Sequence, residues 1–134
     1  MMTELFSQML SIDSTSGLER DFALWLEKSL DAPQKTLHEV GDGTLNLLMS
    51  WGEPKIVFCT HMDTVPPYIA PVFDGGIVRG RGSCDAKGQI FSMYSACRAL
   101  ADSGRDGFGL LLLSGEETGS FGAKAFSRTG FTAP

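Results

Sequence analysis

The chain has 134 residues, with 11 Lys and Arg against 16 Asp and Glu and a formal net charge of −5 at pH 7. This length allows one domain at most, with room for a hydrophobic core. The acidic balance without a basic cluster argues against nucleic acid or an anionic membrane as a partner, and no apolar run is long enough to span a bilayer.

Cysteine usage and the N-terminus both indicate a cytoplasmic protein. The three cysteines, Cys59, Cys84 and Cys97, are odd in number and have no CxxC spacing, which favours reduced thiols. Residues 1–11 lack the basic start and apolar run of a signal peptide.

Two amphipathic helices are predicted at the start of the chain. Apolar residues recur at helical spacing over residues 5–10 and again over residues 18–30. Ser16 followed by Glu19 fits a capping box, so we expect the second helix to begin there.

Strands follow the two helices. Residues 36–40 and 45–51 are strand-like, and the GDGT turn between them predicts a hairpin. Ile56–Cys59 and Phe108–Ser114 are short apolar runs, which are typical of fully buried strands.

A long helix is predicted between the two apolar strands, opened by the glycine-rich stretch Gly80–Gly88. The strand–helix–strand order indicates an α/β fold with a mixed, largely parallel central sheet flanked by helices. The two apolar strands lead into His61 and Glu116, so we expect both residues at one rim of the sheet, where open α/β proteins place their sites.

Candidate metal-site residues follow these strands and precede the long helix. One imidazole, His61, and the carboxylates of Asp63, Asp85, Glu116 and Glu117 suit a divalent ion such as Zn²⁺, Mn²⁺ or Co²⁺. Asp63 lies two residues from His61 and is suited to orient a metal-bound imidazole. Of two adjacent glutamates, one can bind metal while the other handles protons.

Other interpretations of these residues stay open. Gly80–Gly88 can bind phosphate through backbone amides, although it lacks P-loop spacing. Asp85 can serve only as a helix N-cap, and Glu116 and Glu117 can form a solvated loop. Cys84 is a candidate reactive thiol, although the carboxylate beside it disfavours the thiolate. No GxSxG elbow is present, so a serine hydrolase of that type is not indicated.

Three stretches in order resemble one family. HMDTVPP (61–67), GRGSCDAKG (80–88) and GEETGS (115–120) resemble the ligand motifs of the co-catalytic zinc amidohydrolases and exopeptidases. This family includes acetylornithine deacetylase, succinyl-diaminopimelate desuccinylase, aminoacylase-1 and carboxypeptidase G. The resemblance extends from the N-terminal helices to the last residue and implies a zinc-exopeptidase-like catalytic domain.

The resemblance also implies a role for each motif residue. His61 would bind one metal ion, Asp85 would bridge two, and Glu117 would bind the second. Glu116 would be the general base and Asp63 would orient His61. Two Zn²⁺ ions per complete site are implied, with Co²⁺ or Mn²⁺ as alternatives, and the peptide bond after Asp85 is expected to be cis.

The implied reaction is hydrolysis of an amide bond by water that two metal ions activate. The substrate would be an N-acyl amino acid, as for acetylornithine deacetylase, or a short peptide, as for a dipeptidase or carboxypeptidase of the family. A second hypothesis is a non-catalytic, truncated module whose exposed sheet edge pairs with another chain.

Family members are more than twice as long as this chain. They carry two further metal ligands and a lid and dimerisation domain in the additional part. We therefore expect residues 1–134 to be the N-terminal portion of the catalytic domain, truncated before the C-terminal part and the lid. Such a chain holds three of five ligands and is expected to be inactive alone, whereas the full-length form would be a homodimer.

Overall fold

The computed structural model describes residues 2–133, so Met1 and Pro134, the ends of the predicted domain, lie outside the described residues. In chain order, the helices are α1 (Met2–Leu10), α2 (Glu19–Ser29), α3 (Lys87–Asp102) and α4 (Phe121–Ser127). The strands are β1 (Gln34–Glu39), β2 (Leu45–Trp51), β3 (Ile56–His61), β4 (Val72–Asp74), β5 (Ile77–Arg79) and β6 (Phe108–Leu113). A single 3₁₀ turn, Glu116–Thr118, follows β6.

Four strands form the main sheet in the order β1-β2-β6-β3, and β4 and β5 form a separate hairpin. The α/β class, the mixed sheet and the β1–β2 hairpin are confirmed. Within the described residues the sheet is less parallel than predicted, because β2 runs antiparallel to both neighbours and only β3 and β6 are parallel. In the sequence α3 lies between β3 and β6, so these three elements form the predicted strand–helix–strand unit.

The core lies between one face of the sheet and the helices. Leu47 and Met49 project to the same face of β2 because side chains alternate along a strand, and both are fully buried. They belong to one apolar cluster with Phe22 and Leu26 of α2 and Ile90 of α3. The apolar faces of the helices therefore pack against the apolar face of β2 in a single core.

The last helix is tied to the sheet through the opposite face of β2. The Asn46 side chain accepts a hydrogen bond from the Ser114 amide at 3.0 Å and donates one to the Gly122 carbonyl at 2.9 Å. Asn46 thereby fixes the path of the chain between β6 and α4.

The prediction of a fully buried strand is confirmed for β6 and wrong for β3. Five of the six residues of β6 are buried, whereas Ile56 of β3 is 63% exposed and Cys59 is also exposed. Among the described residues β3 hydrogen-bonds only to β6, so its other edge is uncovered. Only its last two residues, Thr60 and His61, are buried.

The predicted capping box at α2 is wrong as well. The N-cap of α2 is Leu18, and no side chain caps the helix. The Ser16 hydroxyl instead donates to Asp63 at 2.7 Å. Glu19 accepts hydrogen bonds from backbone amides outside the helix.

Among the described residues, no helix combines the length and apolar character needed to cross a bilayer.

Candidate metal centre

The candidate site lies where the parallel strands β3 and β6 end. His61, the last residue of β3, is opposite Leu113, the last residue of β6, so the loops that follow both strands begin side by side. The segment before α2 joins them, because the Ser16 amide donates to the Thr64 carbonyl and the Thr64 amide donates to the Ser14 carbonyl, each at 3.0 Å. Three chain segments therefore meet at one rim of the sheet.

His61 has acceptors at both ring nitrogens. Its Nδ1 lies 2.9 Å from the Asp63 carbonyl oxygen and 3.2 Å from the Asp63 carboxylate. Its Nε2 lies 2.9 Å from Asp85 Oδ1 and 3.8 Å from Glu116 Oε2. Burial alone would lower the pKa of His61, but the hydrogen bonds and charge of Asp63, with the charge of Glu116, raise that pKa to about 9.

Asp63 is fully buried and holds the loop after β6. Besides contacting His61, its carboxylate accepts hydrogen bonds from the Ser16 hydroxyl at 2.7 Å and from the Glu116 and Glu117 amides at 3.0 and 3.1 Å. Burial would raise the pKa of Asp63, yet these donors together lower it to about 2. The carboxylate is therefore an ionised anchor for both His61 and the paired glutamates.

The paired glutamates lie on the 3₁₀ turn with their side chains directed outward. Both are exposed, and half of the Glu116 side-chain surface is accessible. Partial desolvation and the negative charges of Asp85 and Glu116 raise the pKa of Glu117. Carboxylates so close together repel one another unless a cation lies between them.

Asp85 precedes α3, and its side chain points toward His61. The N-cap of α3 is Ala86 and no side chain caps this helix, so the interpretation of Asp85 as an N-cap is wrong. The Asp85–Ala86 peptide bond is cis, as the family resemblance implies. Asp85 is 63% exposed and accessible to a ligand.

The donor set fits a divalent transition-metal ion. One ligand atom from each of His61, Asp85 and Glu117 lies within 4.8 Å of the other two. An imidazole nitrogen with carboxylate oxygens is a ligand combination used by Zn²⁺ and related ions. Asp63 on the other ring nitrogen of His61 is the partner that a metal-bound imidazole normally has. The structure thus brings together all five predicted site residues, while their individual roles stay predictions.

Phosphate binding by the glycine-rich loop is not favoured by the geometry. The only lysine of that loop, Lys87, is 1% exposed and donates to the carbonyl oxygens of Met9, at 2.9 Å, and Ile12. Three loop amides, those of residues 81, 83 and 88, also donate to carbonyl oxygens of the chain. These groups are therefore not presented to an anion.

Sequence reasoning missed two buried charges beside the site. Glu19 is fully buried and accepts hydrogen bonds from the Gly17 amide and, at 2.9 Å, from the Gly115 amide. Lys87 lies 4.4 Å from the centroid of the Phe22 ring, and burial lowers its pKa to about 8 although Asp13 opposes the shift. The available signal was their position, because each occupies the apolar face of its helix.

Comparisons with known proteins agree with the geometry. Residues 57–133 match the profile of the peptidase family M20/M25/M40. The chain is 34% identical over 131 residues to a [LysW]-lysine/[LysW]-ornithine hydrolase of Saccharolobus islandicus, covering 96% of this chain and 36% of that protein.

Solved structures share the fold. A tripeptidase from Staphylococcus aureus superposes with a TM-score of 0.79 and 25% identity over 98% of this chain and 40% of that one. Aminopeptidase PepT from Bacillus cereus gives 0.77 and 27%, with the same coverage of both chains. Human carnosine dipeptidase 1 gives 0.76 at 16% identity, over 96% of this chain and 34% of that chain.

The chain spans about a third of the length of the curated relatives it matches. The family profile nevertheless covers more than half of the chain and includes all five candidate site residues. The resemblance to the zinc amidohydrolases and exopeptidases is therefore confirmed, and the chain belongs to the peptidase family M20/M25/M40.

Proposed function

We propose that this chain supplies His61, Asp85 and Glu117 as metal ligands in a centre that hydrolyses amide bonds. The observation that carries the proposal is the convergence of their ligand atoms within 4.8 Å of one another. The half-exposed carboxylate of Glu116 lies beside them, 3.8 Å from His61 Nε2.

Bound divalent ions would supply Lewis acidity, which polarises an amide carbonyl and lowers the pKa of water. Glu116 is the general base in this proposal, because its carboxylate is accessible while its backbone amide is held by buried Asp63. It takes a proton from the attacking water and delivers it to the leaving amine. Asp63 keeps the imidazole of His61 oriented through Nδ1.

The proposed substrate is an N-acyl amino acid or a short peptide. The names of similar proteins support this class, since they include a [LysW]-lysine/[LysW]-ornithine hydrolase, a tripeptidase and a dipeptidase. We further propose Zn²⁺ as the ion, a cytoplasmic location in keeping with three unpaired thiols, and a homodimer for the full-length protein. Residues 1–134 would form the N-terminal portion of a longer catalytic domain that supplies two more ligands.

Calorimetric titration of Zn²⁺ into metal-stripped chain tests the site directly. The Asp85→Ala variant should lose most of the binding because Asp85 contributes a ligand. Asp102→Ala removes an exposed carboxylate at the far end of the same helix, which forms an ion pair with Arg98 at 3.5 Å, and this variant should bind Zn²⁺ as the wild type does. Equal affinities for all three chains would overturn the proposed ligand set.

A second experiment separates the base from the ligands. Glu116→Gln should bind Zn²⁺ with nearly the wild-type affinity. With two of five ligands elsewhere, neither chain should hydrolyse an N-acetyl amino acid. Turnover by the isolated wild-type chain that is lost in Glu116→Gln would refute the inactivity of the 134 residues and support the role of the base.

The uncovered edge of β3 favours a second candidate, a non-catalytic module that pairs with another chain. Exposed Ile56 and Cys59 lie on that edge, and unpaired strand edges are templates for strand addition. This candidate predicts no Zn²⁺ binding together with self-association. Sedimentation equilibrium of the metal-free chain, beside the calorimetry, distinguishes it from the metal centre.

A further inference from the structure

We infer that Glu19 is a positioning residue for the candidate metal centre, because its buried carboxylate holds the start of the turn that carries Glu116 and Glu117. The inference rests on the proposed function, since it assigns to Glu19 the task of setting where the metal-binding turn lies. Glu19 holds this turn through the backbone, because its Oε2 accepts a hydrogen bond from the Gly115 amide.

Buried carboxylates hold the backbone of the turn that follows β6. Three successive amides, those of Gly115, Glu116 and Glu117, each donate to a buried carboxylate. Glu19 Oε2 receives the first of these amides, and the two oxygens of Asp63 receive the second and the third. A run of amides that converge on fixed anions has its orientation set from outside the turn.

Glu19 is itself held by a hydrogen bond and by the packing of its helix. Its other oxygen, Oε1, accepts a hydrogen bond from the Gly17 amide. Its backbone begins α2, and the next turn of this helix buries Phe22 and Ala23 in the core. The carboxylate is therefore mounted on a helix that is packed into the core, which is a rigid support for a site.

The backbone at the start of the turn has a conformation that favours glycine. Gly115 is left-handed, with φ 70°, and a Cβ at this position would lie 3.2 Å from Phe121 Cβ. The chain therefore enters the 3₁₀ turn through Gly115, where small backbone rotations would move both glutamates. The hydrogen bond from the Gly115 amide to Glu19 restricts backbone rotation at this position.

The experiment compares Glu19→Gln with Leu26→Ala, a control on the same helix that removes buried apolar contacts and leaves the carboxylate intact. Gln carries an NH₂ group in place of one carboxylate oxygen, and its remaining oxygen is an uncharged and therefore weaker acceptor. The hydrogen bond to the Gly115 amide is thus weakened or lost in either orientation of the Gln side chain. We expect the Zn²⁺ affinity of Glu19→Gln to fall about tenfold or more, as for other changes around metal ligands. Leu26→Ala should lower the melting temperature while leaving that affinity within about twofold.

Hydrogen exchange of the wild-type amides gives a readout that does not depend on metal. The Gly115 amide should exchange far more slowly than the amide of an exposed loop residue such as Gly130, and Glu19→Gln should accelerate exchange at residues 115–117 more than Leu26→Ala does. Fast exchange at Gly115 in the wild type would overturn the inference even if Glu19→Gln failed to fold. Equal Zn²⁺ affinity in Glu19→Gln and the wild type would overturn it as well.

The two proposals fail differently. Absence of Zn²⁺ binding by the wild type contradicts the proposed function, and the exchange rates of residues 115–117 then decide the inference about Glu19. Zn²⁺ binding that is unchanged by Glu19→Gln contradicts only the inference.

Discussion

Replacing Asp63 by Asn tests whether the buried carboxylate organises the site. Its two oxygens accept hydrogen bonds from the Ser16 hydroxyl, the His61 ring and the amides of Glu116 and Glu117. Asn instead offers a single oxygen and an NH₂ group. The amide NH₂ is best accommodated facing Ser16 and Glu117, because the hydroxyl can rotate and accept. The Glu117 amide then faces a second donor and has no partner.

The magnitude follows from two contributions to the free energy of unfolding. The pKa of Asp63 falls from 3.8 to about 2 on folding, which corresponds to roughly 2.5 kcal/mol of stability from its charged form. An orphaned buried amide costs about 1–3 kcal/mol more. We expect Asp63→Asn to lose roughly 3.5–5.5 kcal/mol of unfolding free energy, a large share of the stability of a domain of this size.

Urea unfolding of the metal-free chain measures this loss, with the fluorescence of its two tryptophans, Trp25 and Trp51, as the probe. The matched control is Asp74→Asn, whose carboxylate is exposed and lies 3.9 Å from Arg79. It should change stability by less than about 0.5 kcal/mol. The wild type should also lose stability as pH falls from 3.8 through about 2, because the depressed pKa makes the native state resist protonation, and Asp63→Asn should lack this dependence. Equal stabilities of Asp63→Asn and the wild type would refute the reasoning.

Three further outcomes are expected. Folding raises the pKa of His61 from 6.5 to about 9, so protonated His61 adds to the free energy of unfolding. This contribution is fully present below pH 6.5 and is lost as pH rises through about 9. Urea unfolding should show a loss of about 3 kcal/mol over that window, and a profile of His61→Gln with the same slope would contradict it. A Cβ on Gly122 would overlap the Ser114 carbonyl oxygen, so Gly122→Ala should destabilise the chain by about 1–3 kcal/mol, whereas exposed Lys124→Ala on the same helix should not. Cys97 is buried and its pKa is raised to about 11 by burial; a thiol reagent should modify two cysteines in the native chain and Cys97 only after unfolding.

The location of the site could be predicted from the sequence because it depends on local patterns. An apolar run followed by polar residues marks the end of a strand, and two such ends must share a rim if the strands are parallel. His61 and Glu116 could therefore be expected together, and they lie 3.8 Å apart. Asp85 lies 24 residues beyond His61 and was a candidate because it precedes the predicted long helix, while the motif resemblance implied its role.

The burial of β3 could not be predicted because it depends on neighbours and not on composition. Ile56–Cys59 is as apolar as a central strand, yet within the described residues β3 has a partner on one side alone. An apolar run predicts that the strand is buried, but it does not identify the element that buries it. The chemistry of the site survives this error, since Thr60 and His61 at the end of the strand are buried.

The burial of Glu19 and Lys87 could not be predicted for a different reason. Glu19 and Lys87 have backbone partners that lie up to 96 residues away, at Gly115 for Glu19 and at Met9 for Lys87, and backbone partners leave no trace in residue identity. Both residues nevertheless fall in the apolar register of their helices: positions 19, 22, 23 and 26 are buried in α2, and positions 87, 90, 94 and 97 in α3.

A charge on the buried stripe of an amphipathic helix contradicts the pattern that defines the stripe, and burying it unpaired would cost several kcal/mol. Such a residue persists in a stable fold when fixed polar groups lie against it. In this chain those groups are the backbone of the turn after β6, for Glu19, and the carbonyl oxygens at the end of α1, for Lys87. Glu19 ties α2 to the turn that carries the paired glutamates, and Lys87 ties α3, which follows Asp85, to the end of α1. A break in helical patterning beside a motif therefore indicates where the scaffold holds the site.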